Sequence, residues 1–103
     1  MTYTLFIDDI RNPVDETNII ARSSVEAIAI VSERGMPEFI HFDHDLGEDD
    51  TSIIFINWLT NQLIEDKLTI PNNFNYSIHS QNPVGAQNIK SKMDALIKHF
   101  KLL

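Results

Sequence analysis

The chain has 103 residues, 43% of them hydrophobic, a formal net charge of −7 and no cysteine. That predicts one domain over residues 1–103 with a single core, and it excludes disulfides, thiolate metal sites and cysteine nucleophiles. The negative balance argues against an extended nucleic-acid-binding surface, and no run resembles a membrane span or a secretory leader, so a cytoplasmic protein without membrane contact is expected.

In chain order, Thr2–Ile7 is rich in β-branched and aromatic residues and reads as a strand closed by Asp8-Asp9. Ile10–Thr17, with Asn12-Pro13, reads as a loop, and Asn18–Ala21 as a short second strand. That loop is short for a parallel crossover, so the pattern leaves the second strand's place in the sheet open. Ser23-Ser24-Val25-Glu26 forms a capping box, and Val25, Ile28 and Val31 mark one helical face before Gly35 and Pro37 end it. Phe39–Phe42 is a strand. Thr51–Asp66 reads as a helix with Ile54, Phe55, Trp58, Leu59 and Leu63 as its apolar stripe, and Phe74, Tyr76 and Ile78 alternate as a strand. Asn82-Pro83 makes a cap and first turn, and Ala86, Ile89, Met93, Leu96 and Phe100 form the last helix's stripe. The order β, β, α, β, α, β, α predicts an α/β sandwich around a mainly parallel sheet.

Three polar clusters close three of these strands: Asp8-Asp9, Asp43-His44-Asp45 and His79-Ser80-Gln81-Asn82. In a parallel sheet all three fall at the carboxyl edge, where open α/β sheets bind ligands. Asp43 and Asp45, two apart on an extended chain, are expected to point the same way, which forces one toward protonation unless a cation joins them. Mg²⁺ or Mn²⁺ would relieve this, since hard ions prefer oxygen donors. Glu48, Asp49 and Asp50 read as dipole partners at the start of the following helix. His41, inside its strand, reads as a packed histidine, and His99 as a cation near a helix C-terminus; His44 and His79, at the edge, are the better candidates for proton transfer. Around Asn82 and Gly85, free N–H groups at a helix start offer a place for phosphate.

Together, Leu-Phe-Ile-Asp-Asp, Arg-Asn-Pro, Phe-Asp-His-Asp-Leu-Gly and His-Ser-x-Asn-Pro-x-Gly-x-x-Asn resemble the cyclic-phosphate-processing receiver-like family over Tyr3 to Phe100. That family is a divergent relative of the response-regulator receiver domain, found in bacteria and bacteriophages; host cytoplasm is the expected location if the gene is a phage's. The resemblance implies a truncated flavodoxin-like, receiver-like three-layer sandwich with about four strands. It matches Asp8 and Asp9 to the family's acidic pair, Asp43 to the receiver's phosphoacceptor position and Ser80 to the hydroxyl closing the next strand. It also leads one to expect that the receiver's fifth strand and helix are missing, and with them the phosphate-pairing lysine, for which Arg11 is the substitute.

The expected function is a metal-dependent phosphoesterase processing a cyclic or terminal nucleotide phosphate, such as a damaged RNA end. Asp8, Asp9 and Asp43 would bind the ion. His79, then His44, would act as acid or base, with Asp43 and Asp45 in the catalytic group. Arg11, Ser80, Asn82 and Gly85 would hold phosphate. The competing readings are a degenerate receiver that docks a protein partner and a sponge that captures cyclic nucleotides without turnover.

Overall fold

The computed structural model describes residues 2–101. Its elements are β1 (Thr4–Ile7), β2 (Ile19–Ala21), α1 (Ser24–Arg34), β3 (Phe39–Phe42), α2 (Ser52–Ile64), β4 (Asn75–Ile78) and α3 (Pro83–Lys101). The strands form one sheet in the order β2-β1-β3-β4, every pair parallel. The short second strand therefore sits at the edge beside β1, reached through residues 8–18 without a helix.

From β2 onward the chain steps across the sheet in one direction, first over β1 to β3 and then to β4. Right-handed crossovers moving in one direction place their helices on one face. Accordingly α1 packs against α2, and α2 against α3, in a single layer. Leu5, Ile7, Ala21, Ile40 and Phe42 point into that layer and are fully buried. The residues alternating with them, Thr4, Phe6, Ile20, Phe39, His41 and Ser77, occupy the opposite face. The truncated receiver-like fold with a four-stranded parallel sheet is as expected, and α1, α2 and α3 form one layer against it. Residues 8–18, where a first-face helix would stand, are loop, and among the described residues no helix covers that face.

Two helical stripes differ in phase from the sequence reading. In α1 the buried residues are Ser24, Ala27 and Val31, while Val25 is exposed and Ile28 only partly covered. The small side chains at Ser24 and Ala27 let the helix approach its neighbours closely, so the contact line runs through them. Ser23 Oγ accepts from the Glu26 N–H at 3.1 Å, as a capping box requires, but Glu26 reaches back to the N–H of Arg22 (2.8 Å). In α2 the core face is Phe55, Ile56, Leu59 and Leu63; Ile54 is turned outward, and Trp58 is half-covered, stacking on Phe55 with ring centroids 6.0 Å apart. Phe55→Ala should therefore cost about 3–5 kcal/mol. Trp58→Ala should cost less, about 1–3 kcal/mol, since its ring packs on the edge of the core and is only partly buried. Urea unfolding midpoints check the order; equal losses would put Trp58 in the core. The α3 stripe is as expected, with Ile89, Met93 and Leu96 buried.

Candidate functional site

Ile7, Phe42 and Ile78 occupy one level of the sheet, paired across β1, β3 and β4. The ladder then runs one residue further. Asp8 N donates to Ala21 O (3.1 Å), Asp43 N to Ile7 O (3.0 Å) and His79 N to Phe42 O (2.9 Å). Asp8, Asp43 and His79 thus leave neighbouring strands on the next level, with side chains directed to the same side. Their convergence is built by the backbone.

One carboxylate oxygen from each of Asp8, Asp9 and Asp43 lies within 4.8 Å of the others. Asp8 is almost fully buried. Its Oδ1 accepts from the N–H groups of Ile10 (2.9 Å) and Arg11 (2.8 Å), and its Oδ2 meets His79 Nε2 at 3.1 Å. Burial pushes this carboxyl up, but the two N–H groups and the imidazole outweigh it and hold Asp8 below its ordinary value. Asp43 is shifted the other way: burial, then the charge of Asp8, raises it, against the opposing effect of His79. Two adjacent carboxyls pushed in opposite directions are what like charges in one site produce.

Asp45 does not join this cluster. The chain leaves β3 at Phe42 and turns, so the extended spacing that would align Asp43 with Asp45 is lost. Asp45 instead accepts from His44 Nδ1 at 2.9 Å and from Asn82 Nδ2 at 3.4 Å. That contact leaves His44 Nε2 as the ring's other nitrogen. The His44 imidazole also fills the space above the Gly85 backbone. A Cβ on Gly85 would overlap its Cγ and come within 2.6 Å of Nδ1 and 2.7 Å of Cδ2. The bare Cα of Gly85 makes room for a ring of the protein itself.

The turn before α3 is closely bonded. Asn82 N donates to Ser80 Oγ (3.0 Å), and Gly85 N donates to Asn82 Oδ1 (2.9 Å), so both N–H groups are used inside the turn. Arg11 is exposed, and its Nη1 donates to the carbonyl of His79 (3.1 Å), which brings a guanidinium to the rim.

Glu48 and Asp49 are exposed, but Asp50 reaches out of its loop to accept the N–H of Ser24 at 2.8 Å. It serves the start of α1 and not that of α2. Gly47 and Glu48 take left-handed backbone conformations in this loop, with φ of 97° and 33°. The sequence reading also missed Arg22. Its guanidinium donates to the carbonyls of Asp8 (3.1 Å) and Arg11 (2.5 Å) and to Asn12 Oδ1 (2.5 Å), clamping the loop that carries Asp9 and Arg11. An arginine directly after a short strand was the one available signal.

Among the described residues no helix is long and apolar enough to cross a membrane. No curated protein and no solved structure matches the chain. The model of the cyclic-phosphate processing receiver domain matches residues 3–95, and with the four-stranded parallel sheet and the acidic edge already described, the chain belongs to that family.

Proposed function

We propose that the domain is a metal-dependent phosphoesterase acting on a cyclic or terminal nucleotide phosphate, of the kind left at a damaged RNA end. The observation that carries this reading is the meeting of Asp8, Asp9 and Asp43 oxygens within 4.8 Å, with an imidazole nitrogen 3.1 Å from one of them. Three carboxylate donors, one of them pushed toward protonation, fit Mg²⁺ or Mn²⁺ better than a softer ion. Asp8, Asp9 and Asp43 would hold the ion, which when bound supplies charge that polarises a phosphoryl oxygen.

The remaining roles fall to the protein's own groups. His79, whose Nε2–H faces the Asp8 carboxylate, would give a proton to the departing ribose oxygen. His44, oriented by Asp45, is the second proton carrier. The Arg11 guanidinium and the Ser80 hydroxyl would contact phosphate oxygens, while Asn82 and Gly85 shape the turn that presents them. The net charge of −7 favours a phosphate terminus over a long backbone.

The test is to incubate the protein with Mg²⁺ or Mn²⁺ and a panel of 2′,3′- and 3′,5′-cyclic nucleotides, scoring product and binding separately. Product supports an enzyme. Binding without product leaves a sponge, and neither leaves a docking module.

Metal binding has its own readout. Converging carboxylates repel in the metal-free protein, so millimolar Mg²⁺ or Mn²⁺ should raise the melting temperature by mass action. Asp43→Asn should shrink that rise while stabilising the metal-free protein. The pH dependence follows from the raised Asp43 value. Between the ordinary carboxylate range and that value the folded state holds more protons than the unfolded one, so this group destabilises the metal-free fold as pH rises. Metal stabilisation should fade over the same window as pH falls, and comparison with Asp43→Asn isolates the group. A melting temperature indifferent to divalent ions would remove the metal site.

A further inference from the structure

The face of the sheet that no described helix covers carries a connected line of aromatic rings. Phe39 and His41 have ring centroids 4.7 Å apart, His41 and Phe6 5.7 Å, and Phe6 and His79 5.1 Å, the last pair stacked within 12° of parallel. His79 also touches Asp8, so one end of the line enters the acidic cluster. At the other end, by the N-terminal ends of the strands, lies a cavity of about 370 Å³. It is lined by Thr4, Phe39 and His41 and by the polar side chains of Asp15, Asn18, Glu38 and Asn73. The His41 ring is held by a 2.7 Å contact from Nδ1 to Ser77 Oγ.

We propose that this face is a base-stacking subsite: a nucleoside whose phosphate lies at the acidic edge lays its base over His41 and Phe39. The inference rests on the phosphoesterase reading for the position of the phosphate and adds a seat for the rest of the substrate. Aromatic rings on an open sheet face hold nucleobases because every base presents a π-face, and edge contacts then tune the choice. The amide and carboxylate groups that line the cavity supply those edge contacts. Residues along a strand are about 3.3 Å apart, so His41 lies roughly 7 Å and Phe39 roughly 13 Å from the level of Asp43. One nucleotide unit spans the nearer reach, and the Phe39 ring, 4.7 Å from that of His41, extends the same platform under its base.

Charge sets the length of the occupant. Asp15 and Glu38 line the far cavity, and the chain is strongly acidic, so an extended phosphodiester would be repelled there. The fit is to a free nucleotide or to the last residues of a strand. Both present the same base and phosphate.

The test is calorimetric titration, with Mg²⁺ present, of a nucleoside 2′,3′-cyclic phosphate, a base-free ribose cyclic phosphate and a short single-stranded RNA ending in the same group. The nucleotide should bind more tightly than the base-free ester. Phe39→Ala and His41→Ala should each shrink that discrimination by roughly 5- to 100-fold, the contribution of one stacked base. Phe39→Leu keeps apolar bulk without the ring and should behave like Phe39→Ala, which guards against a variant that fails to fold. Equal binding of nucleotide and base-free ester, or full discrimination in all three variants, would overturn the subsite while leaving phosphoesterase chemistry intact. Ring-dependent nucleotide binding without turnover would uphold the subsite and remove the enzyme. The free nucleotide and the RNA end should bind alike; much tighter RNA binding would overturn the restriction to a short occupant.

Discussion

Turnover of a cyclic nucleotide by the His79→Gln protein is expected to fall by on the order of 10²- to 10⁴-fold, the usual contribution of a positioned proton carrier. The loss should appear in kcat with KM little changed. Glutamine keeps an N–H donor of similar reach, so it can still face Asp8 and the fold should survive, as the melting temperature will report. His79 Nε2 and a cation would both be drawn to Asp8 Oδ2, so the metal-induced rise in melting temperature should be preserved or enlarged in the variant. Full turnover in His79→Gln with a dead His44→Gln would exchange the two roles. Full turnover in both would leave the histidines without a catalytic part.

A second large effect is expected at Gly85. Adding one methyl group there drives a Cβ into the His44 ring, which Asp45 holds from the other side. Gly85→Ala should cost about 1–3 kcal/mol, the range for inserting bulk into a packed site. A double-mutant cycle with His44→Ala checks the cause. The glycine substitution should cost far less once the ring is gone. If Gly85→Ala instead keeps full stability and weakens phosphate binding alone, the glycine is there to admit an anion.

Strand ends were the most legible part of the site. Phe-Ile-Asp-Asp and His-Phe-Asp announce both an apolar strand and its polar terminus; parallel pairing brings Asp8 and Asp43 together, and the loop after β1 adds Asp9. Other features depend on partners distant in sequence and leave no local trace. Asp50 looks like an acid at the start of α2, yet its N–H partner is Ser24 in α1. Asp45 looks like a neighbour of Asp43, but the turn after β3 carries it to His44 and Asn82. The phase of α1 was misread because the pattern weighted large side chains, whereas contact there runs through Ser24 and Ala27. Residues 8–18, whose Asn-Pro and scattered charges read as loop, do connect β1 to β2 without a helix.

Arg22 ties the site to the fate of the smallest strand. Its guanidinium holds the Asp8–Asn12 segment by backbone oxygens and by Asn12, and it follows directly after three-residue β2 at the sheet's edge. Edge segments with little buried surface are the first to open in a native protein. When β2 detaches, the clamp goes with it, along with the bond from Asp8 N to Ala21 O. The loop bearing Asp9 and Arg11 and the edge strand are therefore expected to open together, with hydrogen exchange at Asp8 and Ala21 as the readout.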